Sequence, residues 1–317
     1  RTDLPAPAAD ALAHRAQLRA HVLAEIDAAG GAIPFSRFME LALYAPGLGY
    51  YSAGASKFGE EGDFVTAPEL GPVFAACVAD AIAPVLQQLG PQALVLELGG
   101  GTGALAEVAL KRLTELDALP DRYLILEPSA QLRERQRERL REKLPPLLFE
   151  LVEWPDGPVP HDWDGVLVAN EVIDALPTPR FAVLGPSEDR EDSEASEIFE
   201  EHVAVDDGVL VRVLRPADAF LANAVRHVER SLGRALPDGY RSEVLPQLPY
   251  WIQAVAGGMQ RGAMLFVDYG HPRGEYYLPE RDDGTLRAYY RHRVHADPLV
   301  YPGLQDITAS VDFTALA

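Results

Sequence analysis

Residues 93–104 read ALVLELGGGTGA, and this stretch decides the fold class of the chain. Its first half is a short apolar run of the kind that forms a buried strand, and a segment with helical spacing follows at residues 104–116. Glycines between a strand and a helix let the backbone turn tightly and let a ligand approach main-chain N–H groups at the helix N-terminus. The stretch therefore predicts a strand–loop–helix unit that binds a ligand at its loop.

The same alternation of apolar runs and helical segments continues toward the C-terminus. Further buried strands are predicted at residues 123–127, 147–152, 165–170 and 263–268. The helix predicted at residues 129–143 carries so many charged side chains that we expect it to lie on the outside, in solvent. Strands that alternate with helices are typical of a doubly wound, mostly parallel sheet, so the predicted fold class is α/β and Rossmann-like.

Two parts of the chain lie outside this alternation. The N-terminal part is predicted to contain a long glycine-rich loop and helices at residues 10–29, 33–44 and 68–89. The segment at about 178–261 interrupts the sheet before its fifth strand, and it is predicted to contain a β-hairpin (198–205 and 209–214) and helices at 217–232 and 247–261. We therefore divide the chain into a helical cap with a lid loop at residues 1–90 and a cofactor-binding domain at residues 91–317.

The composition limits the partners of the protein. The 317 residues carry a formal net charge of −20, and such a field repels nucleic-acid phosphates and anionic lipids while it favours cationic partners. We find no apolar run of the about 18–20 residues that a membrane span needs. The single cysteine, Cys77, cannot form an internal disulfide, so a reducing cytoplasm is the natural compartment, and its apolar surroundings predict a packed core thiol.

Two acidic residues indicate which ligand the glycine loop binds. Glu127 ends the second strand, where an acidic side chain can accept two hydrogen bonds from a ribose diol. Glu97 stands two residues before Gly99 in the pattern E-x-G-x-G-x-G, the form seen in class I methyltransferases, where the carboxylate can organise the loop and stabilise the cationic amino end of S-adenosylmethionine. S-adenosylmethionine is therefore the expected cofactor. The expected binding residues are Glu97, Gly99, Gly101, Gly103 and Glu127.

Two other interpretations of the loop stay open. Gly99, Gly101 and Ala104 also fit the dinucleotide pattern G-x-G-x-x-G/A, which would make the protein a nicotinamide or flavin enzyme. Glu97 disfavours this interpretation, because its carboxylate would lie near the pyrophosphate and repel it. A loop that binds no cofactor is the second alternative.

Four further segments narrow the prediction to one family. They are GDFVTAPE (62–69), NEVIDALP (170–177), DYGH (268–271) and DITASVDF (306–313). In this order they resemble the MidA-like family of S-adenosylmethionine-dependent methyltransferases, which includes the mitochondrial complex I assembly factor that methylates an arginine. The resemblance covers roughly residues 33–313. Members of the family continue past the position of residue 317, so we expect this chain to be truncated at its C-terminus.

The resemblance implies a class I methyltransferase fold with an N-terminal helical cap and an insertion before the fifth strand. Asn170 and Glu171 follow the fourth strand, where this fold places its catalytic groups. A guanidinium is nearly always protonated and needs carboxylates to orient it, and Asp174, one helical turn after Glu171, could share its face or only cap a short turn. His271, after the fifth strand, could accept a proton. The catalytic candidates are thus Glu171, Asn170, Asp174 and His271.

The loop ahead of the sheet supplies further candidates. Asp63, Phe64 and Thr66 are expected to contact the cofactor or substrate, since such a loop can close over the site as a lid. Glu69 falls in the first turn of its helix, where interaction with the helix dipole is a sufficient explanation. Tyr50 and Tyr51 could pack against a cationic substrate or simply fill the core.

The sequence gives no metal site. His292 and His295, with Asp297, have a spacing that could suggest one, but two histidines without further ligands of fixed spacing are weak evidence. We therefore predict that no metal is bound and assign these residues structural or substrate-loop roles.

The predicted function is methyl transfer to a protein with a basic side chain, with arginine as the favoured residue and a respiratory-complex subunit as one candidate partner. The expected location is the bacterial cytoplasm, or the mitochondrion if the source is eukaryotic. Two alternatives belong to other classes: a non-catalytic assembly factor that grips a partner subunit, and an NAD-dependent oxidoreductase. The oligomeric state does not follow from the sequence.

Overall fold

The computed structural model describes residues 4–52, 67–159, 161–185 and 196–317. Contacts within the chain divide it into two compact units, each assembled from separate stretches of sequence. The first unit comprises Arg1–Ala53, Ile173–Pro249 and Tyr269–Ala317, and the second comprises Gly54–Val172 and Tyr250–Asp268. The division into a cap and a cofactor-binding domain near residue 90 stays a prediction.

The secondary structure is numbered here in chain order. The described helices are α1 (Ala9–Ala28), α2 (Phe35–Tyr44), α3 (Ala67–Leu70), α4 (Pro72–Leu89), α5 (Ala104–Glu115), α6 (Ala130–Lys143), α7 (Pro146–Phe149), α8 (Ala219–Leu232), α9 (Leu248–Ala256), α10 (Arg273–Tyr276) and α11 (Phe313–Leu316). The described strands are β1 (Ala32–Pro34), β2 (Leu94–Leu98), β3 (Arg122–Leu126), β4 (Val152–Glu153), β5 (Trp163–Asn170), β6 (Arg180–Leu184), β7 (Glu197–Asp206), β8 (Val209–Pro216), β9 (Arg241–Glu243), β10 (Met259–Val267), β11 (Gly270–His271), β12 (Arg287–Tyr290), β13 (Arg293–His295), β14 (Asp306–Thr308) and β15 (Val311–Asp312).

The second unit contains the predicted parallel sheet, with the strand order β10-β5-β2-β3-β4. Every neighbouring pair in it is parallel. Because successive side chains of a strand point to opposite faces, Val95 of β2 packs with α4, α5 and α6, whereas Leu94 and Leu96 pack on the side of α9. Both faces are therefore buried, which explains why the central strands are continuous apolar runs in the sequence. The prediction of an α/β doubly wound sheet is confirmed.

The structure corrects three predicted elements of this unit. Residues 68–89 form two helices, because Gly71, with a φ of 153°, separates α3 from α4. The strand predicted at 147–152 is largely the helix α7, since Pro146 favours the first turn of a helix, and only the short β4 remains. The helix predicted at 247–261 ends at Ala256, where two glycines follow and lead into β10.

Burial on α6 and α4 also differs from the prediction. The highly charged α6 buries Leu132, Gln136 and Leu140, which follow one another at one-turn spacing, so one of its faces lies inside the unit. Cys77 is exposed on α4 rather than packed in the core. By length and composition alone α4 could also cross a membrane, contrary to the sequence expectation, although core helices of soluble proteins meet the same criterion.

The first unit is built on an antiparallel sheet with the order β1-β7-β6-β9, and β8 pairs with β7. The predicted hairpin is confirmed as β7 and β8, which turn at Asp207 and Gly208 with φ values of 44° and 73°. A two-residue hairpin turn of this kind requires positive φ at both positions. The helix expected from residue 33 begins at Phe35, because the residues before it form β1. Small sheets of β11 with β15 and of β12 with β13 and β14 belong to the same unit.

A buried ion cluster holds this antiparallel sheet together. Arg180 of β6 is 2% exposed, and its guanidinium lies 3.2 Å (Nε) from Glu201 of β7 and 2.5 Å (Nη1) from Glu243 of β9. Its Nη2 contacts Asp283 at 2.9 Å. Both glutamates are buried, so loss of the arginine would leave charges in the core that are poorly compensated.

We expect Arg180→Ala to lower the free energy of unfolding by about 3–5 kcal/mol, because removing one partner of a buried ion pair leaves the other charge uncompensated. Arg37→Ala is the matched control: its partners, Glu25 and Glu40, are accessible to solvent, and exposed ion pairs contribute about 0–1 kcal/mol. Urea denaturation followed by circular dichroism measures both. Equal losses in the two variants would contradict a structural role for the Arg180 cluster.

Candidate functional site

The glycine loop after β2 has the conformation that its sequence requires. Gly99, Gly101 and Gly103 have φ values of 64°, 52° and 83°, in the left-handed region that glycine enters without strain. The N–H of Gly99 donates to the carbonyl of Leu126 at 3.0 Å, which ties the loop to the end of β3. α5 begins directly after Gly103, so the loop ends at the N-terminus of a twelve-residue helix. This is a backbone arrangement that receives polar or anionic groups of a ligand.

The four glycines of the loop serve different purposes. A Cβ at Gly100 would lie 2.6 Å from Cγ2 of Ile125, so this glycine permits close packing of the loop on β3. A Cβ at Gly101 would meet no atom within 4 Å, so the loop faces open space at that position. A Cβ at Gly99 would lie 3.2 Å from Cγ2 of Val172, and a Cβ at Gly103 would lie 3.5 Å from Cα of Gln136, so both positions are packed. The open side at Gly101 is where a ligand can approach the backbone.

Glu127 lies at the end of β3 and is almost fully buried. Its Oε1 accepts the N–H of Ser129 at 2.9 Å, and its Oε2 accepts an N–H of the Gln136 amide at 3.3 Å. Burial raises the pKa of this carboxyl to about 7, although the two hydrogen bonds and the nearby charge of Arg133 lower it. A carboxylate has more acceptor sites than these two bonds use, so Glu127 can also accept the hydroxyls of a ribose.

Glu97, the carboxylate of the E-x-G-x-G-x-G pattern, lies on β2 two residues before the loop begins. It is 3% exposed and shares a sheet face with Val95 and Tyr123. The Tyr123 hydroxyl donates to Glu97 Oε2 at 2.8 Å. Burial raises the pKa of Glu97 to about 7, the tyrosine bond lowers it, and the charge of Glu127 raises it further. The role of Glu97 in organising the loop stays a prediction.

These residues fit S-adenosylmethionine. The open side of Gly101 leaves room that a side chain would fill, and Glu127 supplies acceptors for a neutral diol at the end of the next strand. The main chain of Gly99 to Gly103 would hold the part of the cofactor nearest the helix N-terminus. The buried glutamine that joins Glu127 to the loop was not found in the sequence, where α6 looked uniformly charged.

A second group of polar side chains lies at the ends of β5 and β10. Glu171 has a φ of 51°, in the left-handed region, and its N–H donates to the carbonyl of Val267 at 2.8 Å. Non-glycine residues rarely adopt this conformation, and such strain is concentrated at functional sites. Asn170 and the backbone N–H of Ala67 donate hydrogen bonds to the Glu171 carboxylate. The end of β5 thus presents a carboxylate that is fixed from two sides.

Two further acidic residues lie near Glu171. Burial raises the pKa of Glu171, and the negative charges of Asp268 and Glu69 raise it further, while the hydrogen bonds from Asn170 and Ala67 lower it. Glu69 Oε2 and Asn170 Oδ1 are buried and accept no hydrogen bond from any residue that the structure describes. From the sequence, Glu69 is expected only to interact with its helix dipole, and Asp268 is not among the site candidates, although it follows the strand beside β5 and the strand-end argument used for Glu171 applies to it equally.

The other two catalytic candidates lie in the first unit. Asp174 is buried, and its carbonyl accepts the N–H of Ala309 at 2.9 Å. Residues 171–176 form bends and a turn, so the predicted helical turn between Glu171 and Asp174 is wrong. The guanidinium of Arg281 donates to Nε2 of His271 at 2.9 Å, which occupies the lone pair that a proton acceptor would use. A catalytic role for either residue stays a prediction.

The remaining candidates have simpler positions. Tyr50 is fully buried and its ring lies 5.1 Å from that of Tyr51, whose hydroxyl donates to Asp306 Oδ1 at 2.8 Å, so the pair packs in the core. The lid candidates Asp63, Phe64 and Thr66 lie outside the described residues. Across the described ranges no three His, Cys, Asp or Glu side chains are grouped as a metal would require, and the metal-free site stays a prediction.

Substitution at two neighbouring glycines separates folding from binding. Gly101→Val places a branched side chain in the open space, so S-adenosylmethionine binding should be lost; because its φ of 52° strains any residue but glycine, we also expect a lower unfolding temperature in a protein that still folds. Gly100→Ala forces Cβ against Ile125, so this variant should unfold at a lower temperature. Calorimetric titration and thermal unfolding measure the two effects. Unchanged affinity in a folded Gly101→Val protein would exclude the loop as the cofactor site.

The affinity for S-adenosylmethionine should depend on pH through Glu127. The ionised carboxylate can accept both ribose hydroxyls, whereas protonation replaces part of this acceptor capacity with a donor, so with a pKa of about 7 the interaction should weaken as the pH falls through 7. We expect binding about tenfold weaker at pH 6 than at pH 8. Glu127→Gln should bind more weakly at pH 8 and lack this part of the dependence, whereas identical profiles for both proteins would exclude Glu127 from the site.

Comparison with known families and relatives agrees with this geometry. A family model described as an S-adenosyl-L-methionine-dependent methyltransferase matches residues 77–317. The mitochondrial protein arginine methyltransferase NDUFAF7 homolog of Drosophila melanogaster is 30% identical over 94% of this chain and 67% of its own length. The mouse protein, protein arginine methyltransferase NDUFAF7, is 29% identical over 90% of this chain and 66% of its own. The chain thus spans about two thirds of these relatives.

Two solved structures from Burkholderia thailandensis resemble the whole chain. One, bound to S-adenosyl-homocysteine, has a TM-score of 0.88 and 43% identity, and the match covers 99% of this chain and 78% of that one. The other, a native structure of the same superfamily, has a TM-score of 0.84 and 42% identity, and the match covers 99% and 77%. The predicted class I fold and the predicted cofactor, S-adenosylmethionine, are therefore confirmed.

Proposed function

Since the chain belongs to the MidA-like family of S-adenosylmethionine-dependent methyltransferases, we propose that it methylates the guanidinium of an arginine in a protein substrate. The observation that carries this proposal is the acidic group at the ends of β5 and β10. Burial raises the pKa of Glu171, and the negative charges of Asp268 and Glu69 raise it further, so these two charges repel the Glu171 carboxylate in a partly buried place. A cation bound among them would relieve this repulsion.

A guanidinium suits such a place better than other cations. It is planar, it is always charged in water, and it presents donors in a fork that matches a carboxylate. Glu69 Oε2 and Asn170 Oδ1 are buried and accept no hydrogen bond from any described residue, so each could accept one N–H from the fork of donors that a guanidinium presents. The relatives named as protein arginine methyltransferases support the same substrate.

The side chains of this chain would mainly position the reacting nitrogen and exclude water. When bound, S-adenosylmethionine supplies an electrophilic methyl group. The guanidinium nitrogen forms a bond to that carbon as the bond from carbon to sulfur breaks, and the nitrogen loses one proton. Glu171 is the proposed acceptor of this proton, because its raised pKa makes its carboxylate a better base than an exposed glutamate.

The proposed partner is a protein with a basic side chain, with a respiratory-complex subunit as one candidate. The net charge of −20 favours a cationic partner over nucleic acid or an anionic membrane. The mitochondrial relatives suggest a mitochondrial location if the source is eukaryotic, and a bacterial source would place the protein in the cytoplasm. The NAD alternative is not retained, because the family depends on S-adenosylmethionine and the similar Burkholderia thailandensis protein binds S-adenosyl-homocysteine, the product that methyl transfer leaves. The non-catalytic assembly factor remains the rival hypothesis.

The decisive experiment compares Glu171→Gln with the parent enzyme. The parent enzyme is first incubated with a cell lysate and S-adenosylmethionine that carries a labelled methyl group, and mass spectrometry identifies the substrate and the modified residue. Single-turnover methylation of that substrate is then measured with the cofactor saturating. Glu171→Gln should lower the rate by about 10²–10³, because a preorganised electrostatic partner is lost, and cofactor affinity should change little. Glu138→Gln, which alters an exposed carboxylate on α6, is the control and should match the parent.

The outcomes distinguish the hypotheses. A parent rate in Glu171→Gln would contradict the proposed role of the Glu171 carboxylate in holding the guanidinium and accepting its proton. Loss of cofactor binding in that variant would instead assign Glu171 to the cofactor site. Incorporation on lysine or on a small molecule would refute the arginine substrate, and a partner that binds the parent protein without incorporating label would support the assembly factor.

A further inference from the structure

We propose that Gln136 and Trp154 form a positioning pair that presets Glu127 and the glycine loop for the S-adenosyl group. This inference concerns how the chain prepares its cofactor site and does not depend on the substrate that is methylated. Gln136 lies in the middle of α6 and is 0% exposed, in a helix whose other side chains are mostly charged. Burying an amide is costly unless its donors and acceptor are satisfied, so the contacts of Gln136 indicate what it is retained for.

The amide of Gln136 joins three separate parts of the second unit. Its Nε2 donates to the carbonyl of Gly101 at 2.9 Å and to Glu127 Oε2 at 3.3 Å. Its Oε1 accepts the indole N–H of Trp154 at 2.9 Å. One side chain thus links the loop after β2, the acidic residue after β3 and the segment after β4.

Trp154 determines which way the amide points. An indole N–H can only donate, so it must face the oxygen of the glutamine amide. The NH₂ group then faces Gly101 and Glu127, both of which present acceptors. A flipped amide would oppose donor to donor at Trp154 and acceptor to acceptor at the other two positions. The indole is itself held by the ring of Phe149, at 6.3 Å, and by the guanidinium of Arg137, at 5.0 Å.

The orientation matters for the cofactor in two ways. The bond to Gly101 anchors the carbonyl of the residue whose outer side is open to a ligand. The bond to Glu127, together with that from Ser129, fixes both carboxylate oxygens and leaves their other acceptor sites for a ribose diol. Gln136 also supports the loop from below, since a Cβ at Gly100 would lie 3.1 Å from its Nε2. A site that is ordered before binding loses less entropy when the ligand arrives.

The test measures S-adenosylhomocysteine binding by calorimetric titration in three variants. Gln136→Met keeps the volume and removes all three hydrogen bonds, and we expect a Kd at least tenfold higher than in the parent. Trp154→Phe keeps an aromatic ring and removes only the orienting N–H, so about a three- to tenfold increase is expected. In the double variant, Trp154→Phe should add little to Gln136→Met, because the tryptophan acts through the glutamine.

Two further readouts separate positioning from a general effect on folding. The pH midpoint of binding should move upward in Gln136→Met, because the hydrogen bond from Gln136 lowers the pKa of Glu127. The indole N–H resonance of Trp154 should respond to S-adenosylhomocysteine in the parent and lose that response in Gln136→Met. Trp251→Phe, a partly buried tryptophan in the α9 core cluster, is the matched control and should leave both affinity and pH midpoint unchanged.

Three results would overturn the proposal. One is parent affinity in both Gln136→Met and Trp154→Phe. Another is a double variant whose loss is the sum of the single losses, since the tryptophan would then act independently of the glutamine. The third is an unchanged pH midpoint in a folded Gln136→Met protein. If that variant does not fold, Trp154→Phe decides through the same affinity and pH measurements.

Discussion

The parallel pairing of β2 with β3 on one side and with β5 on the other is the constraint on which the second unit depends. The register aligns Leu98 with Leu126 and with Ala169, so the three strands end at one edge of the sheet. Because parallel strands share a direction, the segments that follow them emerge at that same edge. The backbone hydrogen bonds of the sheet therefore bring the glycine loop, Glu127 and Glu171 to the same edge.

Burial at this edge has an electrostatic cost that the neighbouring polar groups partly offset. Glu97 and Glu127 are both withdrawn from water, and the pKa of each is raised to about 7. Tyr123 stabilises the first carboxylate, while Ser129 and Gln136 stabilise the second. All of these partners are neutral donors rather than cations. A carboxylate whose acceptor sites were all satisfied would gain little free energy from a further donor. Because the acceptor sites here are only partly satisfied, hydroxyl groups can still bind favourably.

The sequence predicts the sheet and the loop well, because the strand, glycines and helix at 93–104 are specified by short-range patterns. It does not predict Gln136, because a lone glutamine in a charged helix looks solvated, and only its one-turn spacing from two leucines marks the buried face. The helical turn expected between Glu171 and Asp174 fails for a related reason. The left-handed backbone of Glu171 accompanies a hydrogen bond to β10, and that partner lies far away in the sequence. Local sequence patterns predict helices and strands, whereas the roles of Gln136 and Glu171 depend on contacts between elements that are distant in the sequence.

The two groups of carboxyls at the sheet edge respond to burial in different ways. Glu127 accepts hydrogen bonds from neutral donors, and the positive charge of Arg133 lowers its pKa, while its own charge raises the pKa of buried Glu97; a neutral diol can join this group without adding charge. Glu171 instead has Asp268 and Glu69 as neighbours, and each additional negative charge makes its ionised form less favourable. A neutral ligand would leave that repulsion in place, whereas a cation would remove it. The same desolvation thus favours an uncharged hydroxyl pair at one strand end and a positively charged group at another, as the cofactor and the proposed basic substrate would need.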